Sequence, residues 1–284
     1  MLGLAVMTDA ETLGRMRDPL AERGIEAEHV PYRERALALD APIEGFDVGF
    51  VYPGRLMEGG VADTLLSVPW VNGRRDVLVS RNKAEVLARL ERAGVPVPET
   101  VLVSNPADEA DLIEAFERVG PPVVVKPNSA TRGVGVARAL DLDSFLGIVD
   151  YLGLVHDFRA TADKSFLVQE YLPEARDVRV MLLDGAYAGA VERRLPEAAV
   201  AAGRWKHNVH RDAVATGVDL DPELRDLAER AADVLDIPFL GVDLLVSGDR
   251  AVVTETNARP TIDEATKYEP GFYDDLAALI RAAE

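Results

Sequence analysis

Gly241-Val242-Asp243-Leu244-Leu245 and, a little downstream, Thr254-Glu255-Thr256-Asn257 are the stretches on which the reading of this chain turns. Both are rich in apolar and β-branched residues and flank the turn signal Ser247-Gly248-Asp249, so they read as a β-hairpin. Such a pairing puts Asp243 and Glu255 at about the same level. Glu255 and Asn257 are two residues apart and share one face of their strand. Two carboxylates and an amide oxygen then converge on one point. Carboxylates so placed repel unless a cation lies between them, and an all-oxygen set suits Mg²⁺ shared with phosphates, with Mn²⁺ as a substitute. A solvated hairpin edge carrying ordinary acids is the competing reading, and this chain has acids to spare.

The 284 residues suffice for two or three packed units, and with 48% hydrophobic residues the chain is globular. Its formal net charge is −18, from 49 acidic and 31 basic residues, and its only lysines are at positions 83, 126, 164, 206 and 267. An acidic, lysine-poor composition rich in Ala and Val resembles that of halophilic proteins, whose surface charge is screened by salt. Attraction to one basic partner is disfavoured because the acids are spread along the whole chain. Without a basic run, nucleic-acid binding through phosphate contacts is not expected. The absence of cysteine excludes disulfides, thiolate metal sites and cysteine nucleophiles. No apolar run is long enough to span a membrane, and Met1-Leu2-Gly3 leads into a strand without a signal-peptide pattern. The expectation is a cytoplasmic protein with no membrane partner, compatible with a homo-oligomer.

Taken in order, strands at 3–7, 25–30 and 46–52 with a helix over 10–23 predict a small parallel α/β unit. Thr8-Asp9-Ala10 follows the first strand where a dinucleotide fingerprint would need glycines. Residues 60–80, with Trp70 and Arg74-Arg75, read as a loop-rich joint. A helix over 81–93 closes at Gly94, and Asn105-Pro106 is expected to open the next, with Leu112, Ile113, Phe116 and Val119 as its apolar face. The strand Val123-Val124-Val125-Lys126 then runs into Asn128-Ser129-Ala130-Thr131-Arg132-Gly133-Val134-Gly135. Backbone N–H groups of such a loop can cradle phosphate oxygens while the lysine supplies charge, although an ordinary hairpin turn has the same composition. The lysine precedes the glycines, so this is not a P-loop. Further strands are expected at 165–170, 177–182 and 187–194, the last two joined by Asp184-Gly185. Asp177 and Arg179 share a strand face, and a cross-strand salt bridge toward Arg193 is the plain account of them. His207 and His210 lack a third ligand of suitable spacing, so zinc is not expected. Asp221-Pro222 starts a helix with Leu224, Leu227, Ala228, Ala231 and Leu235 on one side, and a last helix begins near Tyr273.

In this order the pieces resemble the ATP-grasp superfamily, and within it the RimK-like branch of glutamate ligase and glutathione synthetase type. The resemblance runs from about Ser80 to Asn257. It is carried by Lys83, Lys126, Gly133 and Gly135, Gln169-Glu170-Tyr171, Asp177 and Arg179, Lys206 and Asn208, Asp243, and Glu255 with Asn257. It implies an α/β fold with α+β lobes: a Rossmann-like pre-ATP-grasp domain (1–80), a central lobe with the glycine lid loop (81–167) and a C-terminal lobe with the metal site (168–284). It implies ATP with adenine against the backbone of Glu170 and Tyr171, ribose on Asp177, and phosphates on Lys126, Lys83 and the loop with Ser129, Gly133 and Gly135. Lys206 and Asn208 complete the nucleotide site, and Asp243, Glu255 and Asn257 hold Mg²⁺.

The implied activity is a carboxylate–amine ligation through an acyl phosphate, with a small carboxylate acceptor and L-glutamate or another amino acid as the amine. Arg193, Lys126 and Arg179 would neutralise the transferring phosphoryl group, and Arg193 the later oxyanion. An ATP-binding sensor or complex subunit, or an ATP-grasp ligase with a non-amino-acid substrate, are the alternatives. The chain departs from the family pattern at Val209-His210-Arg211-Asp212, where Gly-Gly is usual. It departs again at Arg259-Pro260-Thr261-Ile262-Asp263, where a small residue and Pro-Gly are usual. Arg259 reads either as a clamp for a substrate carboxylate or as a surface arginine.

Overall fold

The computed structural model describes residues 1–8, 11–130, 133–155, 163–206, 213–264 and 267–284. Three sheets organise them. Strands β1 (Leu2–Val6), β2 (Ile25–His29) and β3 (Val48–Phe50) form the expected parallel sheet in the order β2-β1-β3. Helix α1 (Glu11–Ala21) makes the crossover and buries Leu13, Met16 and Leu20 at helical spacing.

The loop-rich joint expected over 60–80 is instead two helices, α2 (Leu56–Leu66) and α3 (Arg74–Arg81). Gly59 and Gly60 lower the local helix propensity, which hid α2. Packing overrides that penalty: Leu56, Gly59, Ala62 and Leu66 face inward, and a Cβ at Gly59 would lie 2.6 Å from Pro53 Cβ. Helix α4 (Lys83–Arg92) starts where expected, its cap Asn82 accepting a hydrogen bond from the Glu85 N–H at 3.2 Å, and the chain turns away at Gly94 with φ 73°.

The central sheet is antiparallel and contains β4 (Thr100–Val103), β5 (Val123–Pro127), β6 (Ala137–Ala139) and β7 (Phe166–Glu170) in the order β4-β7-β5-β6. Helices α5 (Glu109–Val119) and α6 (Leu142–Val155) cover one face, where Phe116 and Phe145 meet at 5.2 Å. Helix α5 begins at Glu109 after the cap Asp108, with Asn105-Pro106 in the turn before it, a later start than the sequence predicts. Val123 and Val125 pack into this core with Phe166 and Val168. Alternation therefore turns Val124, Lys126 and Gln169 to the opposite face, which lines a cleft.

The third sheet comprises β8 (Arg176–Leu183), β9 (Ala186–Arg194), β10 (Val214–Gly217), β11 (Phe239–Ser247) and β12 (Arg250–Asn257), ordered β10-β9-β8-β11-β12. Helices α7 (Glu197–Ala201), α8 (Pro222–Leu235) and α9 (Phe272–Ala282) complete this part. Val178, Val180, Val242 and Leu244 join α8 in a core that continues into the N-terminal sheet. No described helix is long and apolar enough to cross a membrane.

A buried amide staples the N-terminal and C-terminal parts. Asn72 is fully buried; its Oδ1 accepts from Phe239 N–H at 3.0 Å, and its Nδ2 donates to the carbonyls of Phe239 (2.5 Å) and Ala258 (2.7 Å). Replacement by alanine strands three buried backbone groups. Asn72→Ala is expected to lower stability by about 3 kcal/mol or more. In denaturant titrations at fixed high salt, this appears as a lower midpoint with an unchanged slope.

Candidate active site

The site is built on one face of the five-stranded sheet. Register places Asp177 opposite Arg193, Arg179 opposite Asp243, and Asp243 opposite Glu255, with a bulge just after Asp243. Asn257 pairs with Gly241, two residues from Asp243, so it shares that face. The Arg179 fork binds Asp243 at 2.6 and 2.8 Å. Arg193 Nη2 reaches Asp243 Oδ2 at 3.0 Å, and its Nε and Nη2 both donate to Asp177 Oδ1, the former at 2.9 Å. Charges thus alternate along Arg179, Asp243, Arg193 and Asp177.

The two guanidiniums hold Asp243 far below the usual carboxylate range in spite of its burial. Burial, reinforced by Asp243, pushes Asp177 up to about 6 against the pull of Arg193. The plain salt bridge expected between Asp177 and Arg193 is one link of this larger network. Both arginines engage Asp177 or Asp243 directly, so any phosphate contact they make is shared with that duty.

Asp243 is only 6% exposed, which removes the reading of a solvated hairpin edge. Glu255 is more open, its nearest cation being Lys83 at 3.8 Å, and Asn257 Oδ1 accepts the Arg259 N–H at 2.8 Å. Among the described residues, Asp243 Oδ1 accepts one hydrogen bond, and no trio of His, Cys, Asp and Glu side chains gathers. Two carboxylates and one amide oxygen fit a hard cation that takes the rest of its shell from water and phosphate.

The central sheet supplies the facing wall. Lys126, buried on β5, donates to the Thr254 carbonyl at 3.3 Å, and burial with Lys83 nearby lowers its pKa to about 8. Lys83 donates to the carbonyls of Asn128 (3.3 Å) and Ala130 (2.5 Å), tying the helix start to the glycine loop. Asn128 reinforces this tie through Ala84 N–H and the Asn82 side chain, each at 2.9 Å. Ser129 Oγ is buried without a partner among the described residues. Gly133 and Gly135 have φ of 66° and 75°, and a Cβ at Gly135 would lie 2.7 Å from Pro127 Cγ. Gly135 is therefore needed for chain reversal against Pro127; it and Ser129 stand behind the cleft lining. Lys206 donates to the Val136 carbonyl, while Asn208 lies outside the described residues.

At the hinge, the Glu170 carboxylate is forked by Arg250 at 2.6 and 2.7 Å and accepts the Glu99 N–H at 2.7 Å. These contacts hold it below its ordinary pKa despite partial burial. The Tyr171 ring meets Trp205 edge-on at 5.8 Å, and Arg138 lies 4.8 Å from the first ring centre and 5.5 Å from the second. Sequence reasoning gave no role to Trp205 or Arg138, although Trp205 directly precedes Lys206. The walls enclose a cleft of about 1520 Å³, whose lining includes Lys83, Lys126, Arg179, Arg193, Asp243 and Glu255.

Two antiparallel sheets with helices, facing each other across such a cleft behind a small parallel domain, define the ATP-grasp fold. A RimK-domain ATP-grasp protein of Sphaerobacter thermophilus superposes with a TM-score of 0.67 at 25% identity, covering 99% of this chain and 98% of its own. The D-alanine–D-alanine ligase of Bacillus anthracis shares the fold, with a TM-score of 0.69 at 15% identity over 100% and 97% of the two chains. The sequence profile of the RimK-like ATP-grasp domain matches residues 80–275, and the chain belongs to that family. A probable alpha-L-glutamate ligase of Shewanella frigidimarina is 32% identical over 72% of this chain and 64% of its own length. A ribosomal protein bS6–L-glutamate ligase of Shigella boydii is 31% identical over 66% of this chain and 59% of its own. The matched region is thus less than two thirds of these relatives.

The depressed Lys126 pKa has a measurable consequence. Above about pH 8 the free protein holds Lys126 largely neutral, and a bound polyphosphate favours its charged form. Nucleotide binding at about pH 9 is therefore expected to take up close to one proton. The uptake should vanish near pH 6.5 and be abolished by Lys126→Met. Calorimetric titrations in buffers of different ionisation enthalpy measure it directly.

Proposed function

We propose that the protein is an ATP-dependent ligase that joins the amine of L-glutamate, or of another amino acid, to a small carboxylate acceptor. The observation that carries this reading is the opposition of two charge sets across one cleft. Lys126 comes from the central sheet, and Lys83 reaches toward the glycine loop from the start of α4, which packs on β12 and α8. Asp243, Glu255 and Asn257 come with Arg179 and Arg193 from the five-stranded sheet. The names of the curated relatives support glutamate as the amine.

A carboxylate is a poor acyl donor because an oxide cannot leave; phosphoryl transfer from ATP converts that oxygen into phosphate, a stable leaving group. Asp243, Glu255 and Asn257 would hold Mg²⁺, or Mn²⁺ in its place, which neutralises charge on the phosphate oxygens. Lys126 adds a fixed cation, buried in a site poor in competing water. Gly133, the glycine-loop residue that lines the cleft, brings backbone to the same oxygens. Asp177 spends only Oδ1 on Arg193 among the described residues, leaving Oδ2 to accept from a ribose hydroxyl. The backbone of Glu170 and Tyr171, flanked by Trp205, borders the adenine end. Arg193, anchored by two carboxylates, is the cation placed to meet the tetrahedral oxyanion when the amine attacks.

A nucleotide sensor without turnover is disfavoured, since it has no use for the complete set of metal-type ligands and phosphate-facing cations. The net charge of −18 with few lysines supports work at high salt inside the cell.

ADP release from ATP and Mg²⁺ in concentrated KCl tests the proposal. Release is expected to require both L-glutamate and a desalted small-molecule extract, with mass spectrometry naming the product. Glu255→Gln should slow it by about a hundredfold or more with only a small fall in melting temperature, because Glu255 is part-exposed and its one ion pair, to Lys83, is long at 3.8 Å. Nucleotide binding without turnover across amines and extracts would overturn the ligase reading.

A further inference from the structure

A second cluster of cations lies in the same cleft, made of residues not assigned to nucleotide or metal. Arg33 comes from the loop after β2, Arg81 from the end of α3, and Arg259 from the segment just beyond β12. They converge around Gly54, which follows β3. Arg81 Nη2 donates to the Gly54 carbonyl at 3.0 Å, and Arg259 Nη1 donates to the Tyr52 carbonyl. A Cβ placed on Gly54 would lie 3.2 Å from Arg33 Nη2 and 3.5 Å from Arg259 Cζ, so two guanidiniums flank one bare backbone position. Arg33 Nε is steadied by the Tyr32 hydroxyl at 2.9 Å. All three arginines and Gly54 line the cleft.

Among the described residues, none of the three has a carboxylate partner. The acids nearby serve other cations: Glu11 and Asp263 pair with Arg15, Asp263 also with Lys267, and Glu34 and Glu58 with Arg55. In a chain with a large excess of acids, three guanidiniums held together on carbonyl and hydroxyl oxygens form a local inversion of charge. Gathering like charges costs energy, and an anion shared among them relieves it. Burial disfavours the charge of Arg81, which a bound anion would offset. The position is also where ligands gather on parallel sheets, outside the carboxyl ends of the strands. Arg259 is joined to the metal-type site through its own N–H, bonded to Asn257 Oδ1.

We propose that Arg33, Arg81 and Arg259 form a substrate subsite that takes a carboxylate other than the one activated, so that the enzyme selects a polycarboxylate partner. This rests on the ligase reading for the identity of the substrate, whereas the anion site itself does not need turnover to be observed. Planar guanidiniums match a carboxylate through paired hydrogen bonds, and the carboxylate comes either from the amino acid or from the acceptor.

The test begins with binding, in the presence of a non-hydrolysable ATP analogue and Mg²⁺. L-Glutamate, glutarate and inorganic phosphate are titrated into wild type, Arg33→Gln, Arg259→Gln and Arg259→Lys. A carboxylate probe is expected to bind wild type and to weaken about ten- to a hundredfold in each Gln variant, the loss of one charge-assisted contact. Affinity for the nucleotide analogue should change less than twofold. Arg33 is on the surface, so Arg33→Gln keeps the test valid even if the Arg259 variants unfold.

Equal carboxylate affinity in wild type and Arg33→Gln, with nucleotide binding intact, would overturn the subsite. Phosphate bound in clear preference to both carboxylates would overturn its assignment to a carboxylate. In the ADP-release assay, a raised KM for glutamate assigns the subsite to the amine, and a raised requirement for extract assigns it to the acceptor; both support it. Carboxylate binding through these arginines without any ADP release would leave the subsite standing and sink the ligase reading instead.

Discussion

The alternation of Arg179, Asp243, Arg193 and Asp177 on one sheet face is the constraint around which the C-terminal part is built. Four charged groups are taken largely out of water there, and the cost is tolerable only because each finds an opposite charge in hydrogen-bonding geometry. β-Pairing does the positioning. Adjacent strands bring the groups within reach, and a period of two keeps them on one face while the other face enters the core with α8. A shift by one residue would bury the charges among valines and leucines and turn those to the cleft. The network therefore specifies register as well as chemistry.

The same network entangles stability with the proposed metal site. Asp243 is at once the ligand type suited to a divalent cation and the closely bonded counter-charge of two buried arginines, whereas Glu255 is more open and meets only Lys83, at 3.8 Å. Removing the Asp243 carboxylate would leave Arg179 without its bonded acid and facing Arg193, whose remaining acid is Asp177, the situation that makes broken buried pairs so costly. Open and closed positions of the same hairpin are thus not equivalent, although their sequence types are.

The N-terminal sheet is no appendage. Its core is continuous with that of the C-terminal lobe, and Asn72 bonds both Phe239 and Ala258 on either side of β11 and β12. That rigid seating is what carries the loop ends of a parallel sheet, with Arg33 and Gly54, to the side of Arg259. A cation cluster assembled from residues so distant in the chain exists only because two units share one core.

Much of this was legible from residue order alone. The hairpin at 241–257, the level pairing of Asp243 with Glu255, the lysine-ended strand before a glycine loop, and the parallel N-terminal unit all follow from local rules of alternation, turn chemistry and capping. Those rules act over a few residues, so a sequence displays them directly. Helix α2 was hidden because Gly59 and Gly60 spoil its propensity, and only contact with Pro53 explains why glycine stands there. The start of α5 was placed too early because a proline signals a first turn without fixing which residue caps it. Arg33 and Arg81 gave no signal, since an arginine in a loop and one at a helix end look like surface charges until their neighbours are known. Sequence by itself determined most of the secondary elements, though not α2 and α3, together with the family and which side chains share a strand face. Tertiary structure decided which charges become buried partners and which cations are left together without acids, because both depend on contacts between distant segments, the cations on ones more than two hundred residues apart.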